Sequence, residues 1–429
     1  MDARPLQVAI VRARYNPYGG AERFVQRALA ALASGGAEVT VIARRWTPPR
    51  DGEAAVPMRL LRVDPFHLGS LWRDWSFARG VRRALAGRSF DIVQSHERIA
   101  GLPLYRAGDG VHAEYLAQRR RAEPGWRAAL TAASPYHRYV LAAERAMFTH
   151  PALRAVICNS EMVRGEIHSR FGVPMDKLHL VRNGVDLERF RPPTLAERSA
   201  AREGLGLEPG RTVFAYVGSG FARKGLAASI RALAAMPGAR GVGHPAVAGA
   251  GAGAGAIPRT CAGIGRAAAE AAIAAAPKPL PPVLLVAGAD RKLAAHRALA
   301  GRLGVAGQVR FLGGVDDVRP VLWAADAFVL PTLYDPFPNA VLEALACGLP
   351  AVTSTRSGAA EFIRAGENGF VVDALDIGGI ARALDALADP QGRGARAAAA
   401  RASVAPLSLD ALGAQLIALY RRLIESPAP

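Results

Sequence analysis

A chain of 429 residues, 51% hydrophobic and 21% charged, holds enough apolar sequence for two separately cored domains, which excludes a disordered or fibrous protein. Against 36 Asp and Glu stand 54 Lys and Arg, a formal charge of +18 that suits anionic partners. Only four of the basic residues are Lys (Lys177, Lys224, Lys278 and Lys292), so an Arg-rich coding bias accounts for that charge equally well.

The three cysteines, Cys158, Cys261 and Cys347, have neither paired nor metal-ligand spacing, which fits a reducing compartment. The first apolar run, Val8 to Val11, is cut short by Arg12 and Arg14, and no uninterrupted apolar run approaches the roughly 18 residues of a bilayer span. The expected location is the cytoplasm, including its membrane face.

In chain order, residues 7–12 read as a strand and 21–34 as an amphipathic helix with Phe24, Ala28 and Leu32 on one stripe. Strands follow at 38–43, 58–63, 91–95, 155–159 and 178–181, with a helix over about 73–86. This alternation predicts a parallel sheet covered on both faces. The joint Arg191-Pro192-Pro193 separates a first domain, 1–190, from a second, 191–406. The second repeats the pattern, with strands at 212–218, 283–287, 309–312, 327–330, 351–354 and 370–372 and helices at 226–236 and 293–303. A tract over 237–282, rich in Ala, Gly and Pro, reads as a low-complexity insertion that buries too little apolar surface to order itself. A final amphipathic helix, about 407–425, follows the capping residue Ser408.

Three stretches carry candidate chemistry. In 329–354, VLPTLYDPFPNAVLEALACGLPAVTS, a strand leads through a Pro-bounded loop into a helix opening near Pro338 and Asn339, where Asn suits a cap. Asp335 in the loop and Glu343 in the helix, with seven residues between them, face one rim, because helical Cβ atoms lean towards the N-terminus. That rim lies at the carboxyl end of a parallel strand, where open α/β sheets bind ligands. Gly19 and Gly20, between the first strand and helix, form either a phosphate-approaching loop or a plain turn. Arg223 and Lys224 precede a helix, either as stabilisers of a developing anion or as a solvated pair.

The Asp335-to-Glu343 stretch resembles the retaining GT-B glycosyltransferases of family 4 type, in which two carboxylates with this spacing hold a nucleotide-sugar donor. The usual first residue there is Glu, so Asp335 is one methylene short. The resemblance implies two Rossmann-like domains facing a cleft, with the terminal helix crossing back onto the first domain. It also implies that Gly19, Gly20, Arg223 and Lys224 hold the donor diphosphate, Asp335 the hexose and Glu343 the ribose. With no Asp-x-Asp pair anywhere, metal-independent stabilisation of the leaving group is expected and no cofactor is called for.

Around Gly108-Asp109-Gly110-Val111-His112, and again at Tyr136-His137-Arg138-Tyr139 and Glu144-Arg145, the chain is similar to lipopolysaccharide core glucosyltransferases. On that likeness Asp109 or His112 orients the acceptor hydroxyl or takes its proton. His96 is a weaker candidate, and Glu361, after Ser357-Gly358, resembles a further donor-side loop. The reading that follows is transfer of a hexose, glucose from UDP-glucose, with retention, to an inner-core sugar of lipopolysaccharide; the alternatives are another family 4 type transfer, mannosyl or for exopolysaccharide, and an inactive GT-B binding protein. Arg119-Arg120-Arg121 with Arg12 and Arg14 form either a solvated basic face or a contact for an anionic membrane. No nucleic-acid motif accompanies the charge, and no nucleic-acid partner is expected.

Overall fold

The computed structural model describes residues 5–15, 36–47, 58–238 and 280–425. The Gly19-Gly20 loop, the helix expected over 21–34 and the part of the low-complexity tract from 239 to 279 lie outside the described residues.

In the first domain, strands β1 (Gln7–Val11), β2 (Arg14–Tyr15), β3 (Glu38–Ala43), β4 (Arg45–Trp46), β5 (Arg59–Arg62), β6 (Ile92–Ser95), β7 (Leu104–Arg106), β8 (Ala155–Cys158) and β9 (Leu178–Leu180) follow one another. Seven of them form a parallel sheet in the order β5-β3-β1-β6-β7-β8-β9, and β2 pairs with β4 in a small parallel ladder. The second domain supplies β10 (Val213–Val217), β11 (Val283–Ala287), β12 (Val309–Gly313), β13 (Ala327–Leu330), β14 (Ala351–Ser354) and β15 (Gly369–Val372). They form a second parallel sheet in the order β12-β11-β10-β13-β14-β15. Runs such as VLLVA in β11 are buried throughout, as strands covered by helices on both faces require.

In each sheet the strand order reverses beside the first strand, between β1 and β6 and between β10 and β13. Loops leaving the carboxyl ends of those strands part there and open a crevice. The fold is the expected pair of Rossmann-like domains, with two differences inside the first. β7 is too short to read from the sequence, and three consecutive helices, His112–Ala122, Gly125–Ala133 and Pro135–Phe148, fill the stretch before β8.

By composition, the stretch 393–425 has the length and apolar content to cross a bilayer, more than the sequence reading allowed. In the fold it divides into two helices, Arg393–Val404 and Leu409–Glu425. Ser408 Oγ accepts the Ala411 N–H at 3.1 Å and so caps the second. That helix places Leu412, Leu416, Leu419 and Tyr420 in the first-domain core with Val8, Ile10 and Val41. Tyr420 Oη donates to Gln94 Oε1 of β6 at 2.7 Å.

The domains meet through polar contacts, buried at Tyr334 and exposed at Glu361. Tyr334, after β13, donates its hydroxyl to Glu166 Oε2 at 2.7 Å and accepts the Val111 N–H at 2.8 Å. Glu361 of the second domain accepts from Arg182 Nη2 at 2.9 Å and from the Glu161 N–H at the start of helix Glu161–Phe171. Burial pushes the Glu166 carboxyl up to about 7; the Tyr334 hydrogen bond opposes this, Glu114 adds to it, and Arg356 and Arg170 pull it back. A carboxyl raised from 4.5 contributes stability that is complete below about pH 4.5 and is lost as pH rises through about 7. Raising the pH from about 5 to about 8 should therefore lower the melting temperature of the wild type more than that of Glu166→Gln. Parallel melting curves against pH for the two proteins would refute this.

Candidate active site

The loops at the two switch points enclose a cavity of about 480 Å³, whose wall includes Arg106, Asp109, His112, Arg223, Lys224 and Asp335. On the second-domain side, the loop after β10 turns at Gly225, which caps helix Leu226–Ala235 with φ +79°. A Cβ at Gly225 would strike the Pro331 carbonyl, so glycine is required where this loop passes the one after β13.

This crossing brings Arg223 and Lys224 to Asp335. Asp335 Oδ2 accepts from Arg223 Nη1 at 3.2 Å and lies 3.5 Å from Lys224 Nζ. Arg223 Nη1 also donates to the Tyr334 carbonyl at 3.0 Å, which fixes the guanidinium against the loop. Burial works to raise the Asp335 carboxyl, but Lys224, Arg223 and the Phe337 N–H outweigh it and hold it below its usual range. The result is an ionised carboxylate flanked by two cations at the mouth of a helix. The group carries net positive charge and suits an entering polyanion.

Helix Asn339–Ala346 starts at the cavity wall. Its N-cap is Pro338, with no side-chain cap bond. Asn339 does not cap it, contrary to the sequence reading, because its Oδ1 accepts from Asn183 Nδ2 of the first domain at 2.8 Å. Glu343, one turn on and on the same face as Asn339, is buried and is not among the cavity-lining residues. Asp335 and Glu343 thus occupy different depths, Asp335 in the cavity wall and Glu343 behind it.

On the first-domain side, Asp109 is half-exposed and lies 3.8 Å from Arg12 Nη1. His112 opens helix His112–Ala122 and has its Nε2 3.0 Å from His137 Nδ1. Burial, then Arg98 and His137, lower the His112 imidazole to about 4, so it is neutral near pH 7 and a weak proton acceptor. That leaves it suited to hydrogen bonding more than to general-base work. His96 ends β6 buried beside Gln94 Nε2 at 2.9 Å; burial, Arg106 and Arg12 hold it well below its ordinary value. Arg106 is also buried, donates to Asn183 Oδ1, and is lowered to about 9, chiefly by burial.

The cavity therefore unites His96, Asp109, His112, Arg223, Lys224 and Asp335 of the residues chosen from sequence. Gly19 and Gly20 fall outside the described residues. Glu361, read as a donor-side loop residue, is engaged between the domains by Arg182. Sequence reasoning missed Tyr334 and Arg98, and gave no role to Glu144, although its Glu-Arg pair had been noticed. Glu144 is almost wholly buried and accepts from Arg98 Nε at 3.0 Å and from the His112 N–H at 2.8 Å. Arg98 Nη2 in turn donates to the Gly110 carbonyl at 3.0 Å, so this pair clamps the loop that carries Asp109. Gly110, at φ +67°, leaves room for the Tyr334 hydroxyl, which a Cβ would strike.

The sequence profile described as Glycosyltransferase Family 4 matches residues 18–189, and that described as Glycosyl transferases group 1 matches residues 263–389. The second match begins inside the tract read as an insertion, so the family pattern reaches into its last part. Lipopolysaccharide glucosyltransferase WaaG of Escherichia coli (strain K12) is 25% identical over 366 residues, 85% of this chain and 84% of the relative. The WaaG crystal structure superposes with a TM-score of 0.75 at 23% identity, covering 96% of this chain and 99% of that one. D-inositol 3-phosphate glycosyltransferase of Mycobacterium sp. (strain KMS) is 28% identical over 416 residues, 89% of this chain and 82% of the relative. Anabaena Alr3699/HepE, solved with UDP-glucose, has a TM-score of 0.66 at 17% identity, covering 97% of this chain and 99% of that one.

Removing the Glu144 carboxylate would leave the Arg98 guanidinium buried without its counter-ion and the His112 N–H without its acceptor. Truncating one partner of a buried pair typically costs about 3–5 kcal/mol. Glu144→Ala should lose about that much in denaturant unfolding, whereas an exposed pair such as Arg364–Glu367 should cost under about 1 kcal/mol when broken. Equal losses for the two would contradict the assignment of Glu144 as the clamp.

Proposed function

The chain belongs to glycosyltransferase family 4 and has the GT-B fold, and from that premise we propose that it transfers a hexose from a nucleotide-sugar donor with retention of configuration. The donor is UDP-glucose and the acceptor an inner-core sugar of lipopolysaccharide at the cytoplasmic face of the membrane. The observation that carries this reading is the Arg223, Lys224 and Asp335 cluster at the second-domain switch point. It is supported by the glucosyltransferase activity for which WaaG is named and by the UDP-glucose in the HepE structure. The D-inositol 3-phosphate relatives favour a second reading of the acceptor, a phosphorylated cyclitol. A product assay offering both acceptors separates the two.

In the proposed reaction the acceptor oxygen bonds to the anomeric carbon on the face from which the diphosphate leaves. The sugar–phosphate bond breaks, its electron pair goes to the departing UDP, and the acceptor proton passes to the leaving phosphate oxygen. The negative charge that grows on the diphosphate is met by Arg223 and Lys224, which Asp335 and the Tyr334 carbonyl already hold in place. Asp109 and His112 orient the acceptor from the opposite wall. No divalent metal is needed in this reading, because two fixed cations supply the countercharge. Turnover in excess EDTA after dialysis should match the untreated rate. A loss beyond about tenfold that Mg²⁺ or Mn²⁺ restores would count against these cations as the substitute.

The two carboxylates should separate kinetically. Glu343 serves the ribose, present in both donor and product, and Asp335 serves the hexose, which UDP lacks. Losing a charged hydrogen-bond partner costs about 1.5–3 kcal/mol, or roughly 10- to 100-fold. Glu343→Gln should weaken UDP binding itself by calorimetry. Asp335→Asn, which keeps an acceptor oxygen for Arg223 and Lys224, should weaken UDP less than Glu343→Gln does while lowering kcat/KM for UDP-glucose. If Asp335→Asn weakens UDP as strongly as Glu343→Gln, the two roles are misassigned.

A further inference from the structure

Two imidazoles meet at the first-domain wall of the cleft. His112 lines the cleft, and its Nε2 lies 3.0 Å from Nδ1 of His137, with the ring centres 5.1 Å apart. His137 belongs to helix Pro135–Phe148 and lines a separate cavity of about 370 Å³ among the three consecutive helices. It is not among the residues that line the cleft.

Burial holds both rings below their ordinary value, His112 at about 4. Arg98 and His137 add to this at His112, Arg119 adds to it at His137, and Glu123 opposes it there. Both rings are therefore neutral near pH 7. A neutral imidazole has one N–H and one lone pair, so a hydrogen bond between two ring nitrogens needs a proton on one and none on the other. The two tautomers are thus coupled. With the shared proton on His112 Nε2, His112 Nδ1 is an acceptor; with it on His137 Nδ1, His112 Nδ1 is a donor.

The surrounding charges select between the two. Glu123, held by Arg119 Nε at 2.8 Å, lines the same cavity as His137. A carboxylate there favours the proton on His137 Nε2, which leaves Nδ1 as the lone pair facing His112. On the cleft side, Arg12, Arg98, Arg106, Arg223 and Lys224 outnumber Asp109 and Asp335. A lone pair facing cations is favoured over an N–H facing them. Among the described residues, His112 Nδ1 makes no hydrogen bond.

We propose that His137 is a positioning residue that holds His112 as its Nε2–H tautomer, so that the Nδ1 lone pair accepts a hydrogen bond from a sugar hydroxyl in the cleft. The inference rests on the transferase reading for the ligand. It goes beyond that reading in naming the residue that acts through His112 and the direction of the hydrogen bond. His137→Asn keeps an acceptor oxygen near the place of Nδ1, whereas His137→Phe keeps the ring and removes the bond.

The test has a spectroscopic and a kinetic arm, both on the full chain. Long-range proton–nitrogen spectra of the histidine-labelled protein at about pH 7.5 should show His112 protonated at Nε2 alone. In His137→Phe its two nitrogens should shift towards each other as the tautomers mix. With UDP-glucose and an inner-core lipopolysaccharide acceptor, His137→Phe should lower kcat/KM for the acceptor by about tenfold and leave UDP affinity unchanged, and His137→Asn should restore most of the loss. His137→Phe added to His112→Ala should cost nothing further, because the two act as one unit. The proposal is overturned if His112 carries its proton on Nδ1, if its nitrogens are indifferent to His137→Phe, or if the two substitutions are additive. If no sugar is transferred at all, the transferase reading falls, and the nitrogen spectra still decide whether His137 sets the tautomer.

Discussion

Two consecutive residues of one loop, Tyr334 and Asp335, hold the two halves of this molecule in register. The tyrosine hydroxyl crosses to the first domain and joins Val111 to Glu166. The next side chain turns back to Arg223 and Lys224 of its own domain. Adjacent side chains of an extended segment point opposite ways, and the prolines at 331, 336 and 338 keep this segment from coiling into a helix. Any displacement of the loop is therefore felt both at the cation cluster and at the start of helix His112–Ala122. Gly110 and Gly225 are the places where that loop presses on its neighbours, which is why neither tolerates a side chain.

The large arginine surplus finds much of its use in the folded chain. Arg198 and Arg202 donate to the carbonyls of Trp323, Ala325 and Ala324, at the end of a short helix whose last acceptors lack partners of their own. Arg401 binds the carbonyls of Leu187, Phe190 and Ala346, tying the interdomain joint to the second domain. A guanidinium offers five donors in a fixed plane and can satisfy several such acceptors at once, which an ammonium cannot do with the same geometry. Much of the formal charge is therefore spent on backbone stapling rather than on a partner.

The second domain was largely legible in the sequence. Its strands are unbroken Val, Ile, Leu and Ala runs bounded by Gly and Pro, and the expected spans 283–287, 327–330 and 351–354 coincide with β11, β13 and β14. The site pieces there come from two short local stretches, 218–225 and 331–343, so spacing alone carries most of their geometry. What spacing did not convey was that Arg223 and Lys224 meet Asp335 more than a hundred residues later. Nor did it convey that Asn339 turns away from its helix end towards Asn183, a partner supplied by another domain. A cap preference of about 1 kcal/mol yields readily to such a contact.

The first domain was less legible, for physical reasons. Helix His112–Ala122 buries only Gln118 fully, so its apolar periodicity is too weak to announce a helix. β7 is three residues long and ends in a buried arginine, which reads as a loop. The Arg98–Glu144 clamp and the His112–His137 pair join residues from separate elements, and each residue taken singly looks like an ordinary solvent-facing polar side chain. Local sequence encodes a site well when the ligand is held by backbone turns and helix starts, which must be built from adjacent residues. A site made of long side chains converging from several helices leaves no such local mark, and only burial in the folded chain separates its arginines from those that merely face water.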